Sequence, residues 1–368
     1  MRLRDLGITV GQLQPGPLNA ITDVEGVRVG FSTLVRGDGP LVIGQGPVRT
    51  GVTVIVPHAG IAGEPLFAGC HRLNGNGELT GLEWVRESGT LTTPVAITNT
   101  HSVGVVRDAL ALDDAAQHPR LGSYWSLPVV GETYDGTLND INGGHVTAQH
   151  VREALAAASD GPVAEGNVGG GTGMICHEFK GGSGTASRRV GDDAGGWTVG
   201  ALVQANYGDR SRLMVDGVPV GREIGSDVVP SPFEESRDAG SIIAILATDA
   251  PLLPHQCERL AQRAGLGIAR AGGAGAHSSG DLFLCFSTAN RGRLHAYKDE
   301  LPGTVVAVDM LPDTAITPLF WAAIEATEEA ILNALCAAET MTGRDGVTAH
   351  ALPHDRVVEV MGRYRPAG

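Results

Sequence analysis

Apolar runs and helical patterns alternate along the chain, and together they predict a layered α/β protein. Runs rich in Val, Ile, Leu and Ala predict buried strands, because strands covered on both faces are apolar at nearly every position. The predicted strands lie at residues 53–57, 94–99, 197–205, 241–248, 282–288 and 304–309. The predicted helices begin near Thr80, Thr147, His255 and Thr317. Three of them start at a capping signal, and we expect all four to cover a sheet core.

The strand at residues 241–248 begins at an unusual junction. The segment before it, residues 208–240, is polar and contains prolines, and its part 229–237 indicates an exposed linker. Gly240 has no Cβ, so the peptide before Ser241 can adopt a strained conformation. A serine placed here could attack the preceding carbonyl and release an α-amine, whose pKa of about 8 suits a general base. On local sequence alone, an ordinary turn glycine before a strand is the favoured interpretation.

Composition and charge narrow the classes of partner and compartment. The net charge of −14 disfavours nucleic acid and anionic membrane surfaces. The five cysteines are widely spaced and form no CxxC pair, so we expect neither a zinc site nor a disulfide framework. His145 and His150 do not form an HExxH pair, and we expect no metal. The N-terminus begins no long apolar stretch, which favours the cytoplasm over secretion or a membrane.

Six motifs follow one another in order over nearly the whole chain. They lie at residues 21–30, 74–78, 131–136, 204–208, 238–249 and 279–290. In this arrangement the sequence resembles the DmpA-type aminopeptidases, which comprise L-aminopeptidase/D-Ala-esterase/amidase and the β-aminopeptidases. The resemblance implies a self-processing N-terminal serine hydrolase. It also implies a four-layer α/β/β/α sandwich of the N-terminal-nucleophile type, with its own strand order.

The same resemblance implies how the chain is organised. One integrated domain, residues 1–368, would be cut between Gly240 and Ser241 into pieces 1–240 and 241–368 that stay together. Several processed units, commonly four, would form a homo-oligomer without a cofactor. The substrate would be a small peptide, or an aminoacyl amide or ester, that carries a free amine.

Roles in catalysis are carried over from the family residue by residue. Ser241 would be the nucleophile, with Ser279 as a helper serine close to it. Asp281 would orient the helper serine or the amine. The β-aminopeptidases can carry glutamate at this position, so the shorter aspartate leaves its contact distance open. Asn206 would donate its side-chain amide to the developing oxyanion, usually a large contribution in acyl transfer.

Two further residues are assigned to substrate binding by the resemblance. Glu132 lies in a glycine-bounded loop and would accept the substrate's ammonium group through a charge-assisted hydrogen bond. Tyr134, two residues later, would line the same pocket. Without the resemblance, these residues would be interpreted as a surface acid and a packing tyrosine.

Three alternatives remain open from the sequence. The first is an acyltransferase similar to the ornithine acetyltransferase family, which shares the fold and the nucleophile chemistry. The second is an unprocessed, non-catalytic binding protein. The third is a nucleotide-binding module built on the glycine run at residues 169–173. That run lacks the lysine of a P-loop, which favours close backbone packing over a phosphate cradle.

Overall fold

Two β-sheets stack face to face in the computed structural model, which describes residues 1–118, 124–234, 240–295 and 305–365. The strands are β1 Arg28–Arg36, β2 Val48–Val56, β3 Leu66–Gly75, β4 Thr90–Leu91, β5 Val95–Asn99, β6 Val129–Thr133, β7 Ile175–Cys176, β8 Phe179–Lys180, β9 Gly182–Arg189, β10 Thr198–Tyr207, β11 Gly240–Thr248, β12 Gly280–Ser287, β13 Met341–Thr342 and β14 Thr348–Ala349. One sheet has the order β4-β3-β12-β11-β10-β9, and the other has the order β1-β2-β5-β6.

Helices cover the outer face of each sheet and complete the four layers. The helices are α1 Leu82–Ser88, α2 Val103–Gln117, α3 Ala148–Ala156, α4 Val220–Glu223, α5 Pro254–Arg270, α6 Thr317–Ala337 and α7 His354–Tyr364. Helices α5 and α6 pack on the six-stranded sheet, whereas α2 and α3 pack on the four-stranded sheet. The predicted α/β/β/α sandwich is confirmed. Among the described helices, none combines the length and apolar character needed to cross a membrane.

The alternation of side chains along β11 explains why its sequence is apolar throughout. Ile242 and Ala244 face α5 and α6 in one core, whereas Ile243 and Ile245 face the four-stranded sheet in another. All four side chains are fully buried. Because successive side chains of a strand point to opposite faces, a strand covered on both faces needs apolar residues at both parities. This is the pattern that predicted the strand.

One predicted strand is wrong. Thr304 lies outside the described residues, and residues 305–309 have no regular structure. Val305 is 88% exposed. The amide of Asn290 donates to the carbonyl of Asp309 and accepts from its N–H, at 3.0 and 2.9 Å, so a side chain replaces a strand partner here. The valines therefore lie on the surface, although their sequence is typical of a strand.

The predicted capping box before α1 is also wrong, although the helix itself is confirmed. Gly81, in the left-handed conformation, is the residue that precedes the helix. The hydroxyl of Thr80 donates instead to the carbonyl of Pro128, at 2.7 Å, and accepts from the N–H of Val130. Thr80 therefore ties the helix to the segment that leads into β6, a tertiary contact that the local pattern does not reveal.

A buried ionic cluster fastens the N-terminal segment to the last long helix. Arg188 on β9 is fully buried and pairs with Glu325 and Glu329 of α6. Arg4 also pairs with Glu329, with two nitrogen–oxygen distances of 2.7 and 2.8 Å. Removing one partner from such a cluster leaves an uncompensated buried charge, which is costly.

We therefore expect Arg188→Met to destabilise the protein strongly, because it leaves Glu325 buried without its ion-pair partner and Glu329 paired with Arg4 alone. The expected loss is about 3–5 kcal/mol of unfolding free energy, measured by urea denaturation. Arg356→Met is the matched control, because Arg356 pairs with Glu359 on the surface and should contribute only about 0–1 kcal/mol. Equal losses in the two variants would contradict this account.

Candidate active site

The junction between Gly240 and Ser241 lies at the start of β11, in the middle of the six-stranded sheet. Gly240 is the first residue of the strand. The sequence predicts instead that it lies just before the strand. It has φ of +116°, and a Cβ at this position would lie 2.0 Å from the carbonyl oxygen of Asn206. Only glycine fits this backbone and this space. Asn206 on β10 is paired directly opposite Ser241.

The Ser241 hydroxyl is buried and held by a backbone group of the neighbouring strand. Its Oγ accepts a hydrogen bond from the N–H of Gly280, at 3.0 Å. The contact arises because β11 and β12 run parallel, with Ile242 opposite Asp281. The two strands therefore begin side by side, and the serine is oriented by a donor that no side-chain motif encodes.

Ser279 and Asp281 form a pair beside this contact. The Ser279 hydroxyl donates to Asp281 Oδ1, at 2.6 Å. Both side chains are buried and line a small cavity with Tyr207, separate from the larger one described below. The pair thus flanks Gly280, whose N–H contacts Ser241 Oγ. The aspartate is long enough to reach the hydroxyl of Ser279.

Two asparagines that the sequence did not single out hold the loop before β12. Asn74 Nδ2 donates to the carbonyl of Ala276 at 2.6 Å, and Asn76 Nδ2 donates to the carbonyl of Ser278 at 2.7 Å. Residues 74–78 form one of the six motifs of the resemblance, but the motif gave no indication of this contact, since the partners lie 202 residues away. These amides fix the backbone that carries Ser279.

The amide of Asn206 has a defined orientation. Its Oδ1 accepts from the N–H of Ile175 at 2.8 Å, and its Nδ2 donates to the carbonyl of Tyr134 at 3.0 Å. A side-chain amide carries two N–H bonds, so this leaves one for another acceptor. Asn206 lines the larger cavity together with Ser241. The remaining N–H can therefore serve an oxyanion formed beside the serine.

The larger cavity, of about 620 Å³, opens beside Ser241 and carries acidic groups. Glu132 is buried in its wall, and its carboxylate accepts from the N–H of Glu78 at 3.0 Å and from the hydroxyl of Thr100. Burial raises the pKa of Glu132, because a low-dielectric wall disfavours the carboxylate. A cation bound at this wall would restore the charged form.

The rest of the cavity wall comes from several segments. Tyr134 is half exposed at its mouth, and Glu178 lies in its wall. Phe233 also lines it and belongs to the segment that precedes the junction. Residues 230–234 of the predicted linker 229–237 are irregular and partly exposed, whereas residues 235–237 lie outside the described residues.

Five predicted site residues therefore share one cavity, namely Gly240, Ser241, Asn206, Glu132 and Tyr134. The glycine run at residues 169–173 does not face it. A Cβ at Gly170 would lie 2.7 Å from the carbonyl oxygen of Ile97, so the run packs backbone against backbone, as the sequence favoured. A nucleotide site at these glycines is excluded by this packing. Among the described residues, no group of His, Cys, Asp and Glu is arranged to hold a metal ion.

Comparison with known proteins decides the family. Residues 19–349 match the family described as Peptidase family S58. The chain belongs to peptidase family S58. The β-peptidyl aminopeptidase of Sphingosinicella microcystinivorans is 48% identical to this S58 chain and is aligned over 99% of it and 92% of the relative. The corresponding enzyme of Sphingosinicella xenopeptidilytica is 44% identical, over 98% and 90%.

Solved structures agree with this assignment to family S58. A β-aminopeptidase from a Burkholderia species superimposes with a TM-score of 0.92 at 55% identity, over 100% of both chains. The L-aminopeptidase D-Ala-esterase/amidase of Ochrobactrum anthropi gives 0.89 at 45% identity, over 99% and 98%. That enzyme is described as a prototype serine aminopeptidase with a variant of the N-terminal-nucleophile hydrolase fold. The predicted family, fold and hydrolase class are confirmed, and the S58 chain is an aminopeptidase.

The hydrogen bond from Gly280 to Ser241 predicts that adding one methyl group at position 280 lowers the activity of this S58 peptidase. In Gly280→Ala the new Cβ would lie 2.4 Å from the carbonyl oxygen of Asn76, so the backbone must shift and the N–H must leave Ser241 Oγ. We expect kcat/KM on an aminoacyl amide to fall on the order of 10- to 100-fold, as misplacement of reacting groups does.

Gly265→Ala is the matched control, because a Cβ there meets nothing closer than 3.7 Å and adds helix propensity to α5. Its kcat/KM should be unchanged. Full activity in Gly280→Ala would show that the backbone donor does not hold the nucleophile.

Proposed function

We propose that this aminopeptidase matures by cleaving its own chain between Gly240 and Ser241. Ser241 Oγ attacks the carbonyl carbon of Gly240, the peptide C–N bond breaks, and an ester forms as the α-amine is released. Water then hydrolyses the ester, which leaves a carboxylate on Gly240 and a free hydroxyl on Ser241. The junction itself supports this proposal, because the buried Ser241 hydroxyl directly follows Gly240, and the backbone and space at position 240 admit only glycine.

The sheet order supports a stable complex of the two pieces. Strand β12 and all of β11 after Gly240 belong to piece 241–368, and they lie between β3 and β10 of piece 1–240. Each piece therefore completes the hydrogen-bond ladder of the other. Helix α6 adds the buried ion pairs with Arg188 and Arg4. Separation would break two strand pairings, which leaves four unpaired strand edges, and would expose a buried charge cluster, which is unfavourable.

In the processed enzyme, we assign Ser241 as the nucleophile and its own α-amine as the general base. The amine takes the proton of Oγ as Oγ attacks the substrate's acyl carbon, and returns it to the leaving nitrogen. Asn206 Nδ2 donates to the oxyanion. Water hydrolyses the resulting acyl-enzyme. We assign the Ser279–Asp281 pair, which flanks Gly280, to the orientation of the amine.

The residues that line the cavity determine which substrate binds. Its described lining residues include three glutamates, Glu78, Glu132 and Glu178, and neither lysine nor arginine. Such a wall favours a cation, and Glu132 is the buried carboxylate available to a substrate ammonium group. We propose β-aminoacyl amides and peptides as preferred substrates, because the relatives at 48% and 55% identity are a β-peptidyl aminopeptidase and a β-aminopeptidase.

Processing predicts two polypeptides in the purified protein. Denaturing mass spectrometry should find pieces that end at Gly240 and begin at Ser241, because the amine of Ser241 is the proposed base. Ser241→Ala lacks the attacking hydroxyl and should stay intact at 38.0 kDa. Native mass spectrometry of the same sample should give four copies of each piece, the assembly that we propose with the processing. An intact wild-type chain with full activity would overturn self-processing.

Substrate recognition predicts that the free amine and Glu132 act together. β-Alanyl p-nitroanilide should be cleaved faster than its L-alanyl counterpart, and the N-acetylated β-alanyl compound should be inert. Glu132→Gln should lower kcat/KM on the order of 10- to 100-fold, the value of a hydrogen bond to a charged group. Glu78→Gln makes the same charge change at an exposed side chain of the cavity and should have a smaller effect.

The pH dependence follows from the raised pKa of Glu132. As pH falls through that pKa, the carboxylate is protonated and the ammonium site is lost. The Ser241 α-amine must also be deprotonated to act as the base, so kcat/KM should fall in two steps as pH drops. The step that belongs to Glu132 should lie above 4.5, the ordinary value for glutamate, and should be missing in Glu132→Gln, whereas the step of the amine should remain. Two unchanged steps in this variant would contradict the role of Glu132.

A further inference from the structure

Lys180 is one of two lysines in the sequence, and its side chain is fully buried on β8. All of its hydrogen bonds go to backbone carbonyl oxygens. Its Nζ donates to Met174 and Gly181 at 2.8 Å each, and to Gly171 at 3.4 Å. Burial lowers the pKa of Lys180 to about 7. A buried amine is a costly group to keep, so its contacts call for an explanation.

One of these contacts reaches the candidate active site through a single peptide unit. The carbonyl of Met174 accepts from Lys180 Nζ and from the N–H of Gly181. The N–H of the same peptide belongs to Ile175, and it donates to Asn206 Oδ1 at 2.8 Å. The plane of the Met174–Ile175 peptide is thus fixed at its oxygen by Lys180 and presents its N–H to Asn206.

This peptide, together with the carbonyl of Tyr134, decides which way the Asn206 amide faces. An N–H directed at one end of the amide requires oxygen at that end, so Nδ2 must point the other way, towards the carbonyl of Tyr134 and the cavity. If the peptide plane rotated, the amide could turn, and a carbonyl oxygen would face the forming oxyanion. Hydrogen-bonded chains of this kind also strengthen one another.

We propose that Lys180 is a positioning residue for the oxyanion donor, which it holds through the Met174–Ile175 peptide. The inference rests on the role proposed above for Asn206. Lys180 does not line the cavity, so it contacts neither the substrate nor the reacting atoms. Its effect should therefore appear in the chemical step and not in the binding of the substrate.

The test is Lys180→Met, which keeps most of the side-chain volume and removes the donor. We expect kcat for β-alanyl p-nitroanilide to fall about tenfold, less than the loss of an oxyanion donor itself costs, with KM unchanged. Rates are expressed per processed chain, quantified by mass spectrometry, so that slow maturation is not counted as slow turnover. An unchanged kcat, or a change confined to KM, would overturn the proposal.

A control separates this role from a general loosening of the β7–β8 hairpin. Phe179→Leu removes buried contacts from the residue next to Lys180 and touches none of the hydrogen bonds above. It should lower the melting temperature and leave kcat unchanged. If Lys180→Met does not fold, Lys180→Gln, which keeps a neutral donor, is measured in the same way and should lower kcat through imperfect reach. Equal losses of kcat in the Phe179 and Lys180 variants would overturn the proposal.

The double variant distinguishes failure of this inference from failure of the proposed function. Asn206→Ala alone should reduce kcat by on the order of 10²- to 10³-fold. Adding Lys180→Met should then cost nothing further, because its target is gone. Additive losses would refute Lys180 as a positioning residue and leave Asn206 as the oxyanion donor. No loss in Asn206→Ala alone would refute both.

Discussion

The position of β11 between an antiparallel and a parallel neighbour is the constraint on which the site depends. Antiparallel pairing with β10 sets Asn206 opposite Ser241, and parallel pairing with β12 sets the N–H of Gly280 beside the serine hydroxyl. A register shift of one residue against β10 would place the side chains of Asn206 and Ser241 on opposite faces, and one against β12 would move the N–H of Gly280 away from the hydroxyl. The fully buried apolar side chains of β11 resist such a shift, because each face has its own core.

Backbone groups and side-chain amides make the contacts that position much of the site. Gly280 supplies an N–H to Ser241, and the Met174–Ile175 peptide supplies one to Asn206. Asn74 and Asn76 hold the loop that precedes β12. Backbone donors do not reorganise when charge develops, which is what electrostatic stabilisation of a transition state requires. They also require glycine at position 280, since a Cβ there would disrupt the packing that directs its N–H at Ser241.

The sequence predicted correctly those strands that are apolar because both of their faces are buried. The prediction failed for a strand with a polar sequence and for a loop with an apolar sequence. Strand β9 has the polar sequence Gly-Ser-Gly-Thr-Ala-Ser-Arg-Arg, yet it is almost entirely buried. Its Arg188 can be buried because it pairs with Glu325 and Glu329 of α6, a helix far along the chain. Residues 305–309 show the reverse case. The family resemblance named the candidate residues, but Lys180 and the two asparagines act through partners that only the fold brings near.

The aspartate at position 281 shows how the strand can replace side-chain reach. Residues 279 and 281 are two apart, so along an extended backbone their side chains lie on one face. Ser279 therefore meets the carboxylate of Asp281 at 2.6 Å without the extra methylene of a glutamate. The register shift between Asp281 and Leu282 on the β3 side brings Asn74 opposite Asp281, and the amide of Asn74 braces the loop that leads to Ser279. The backbone of β12 and that of β3 thus position Ser279 and Asp281, and for their contact this matters more than the length of the acidic side chain.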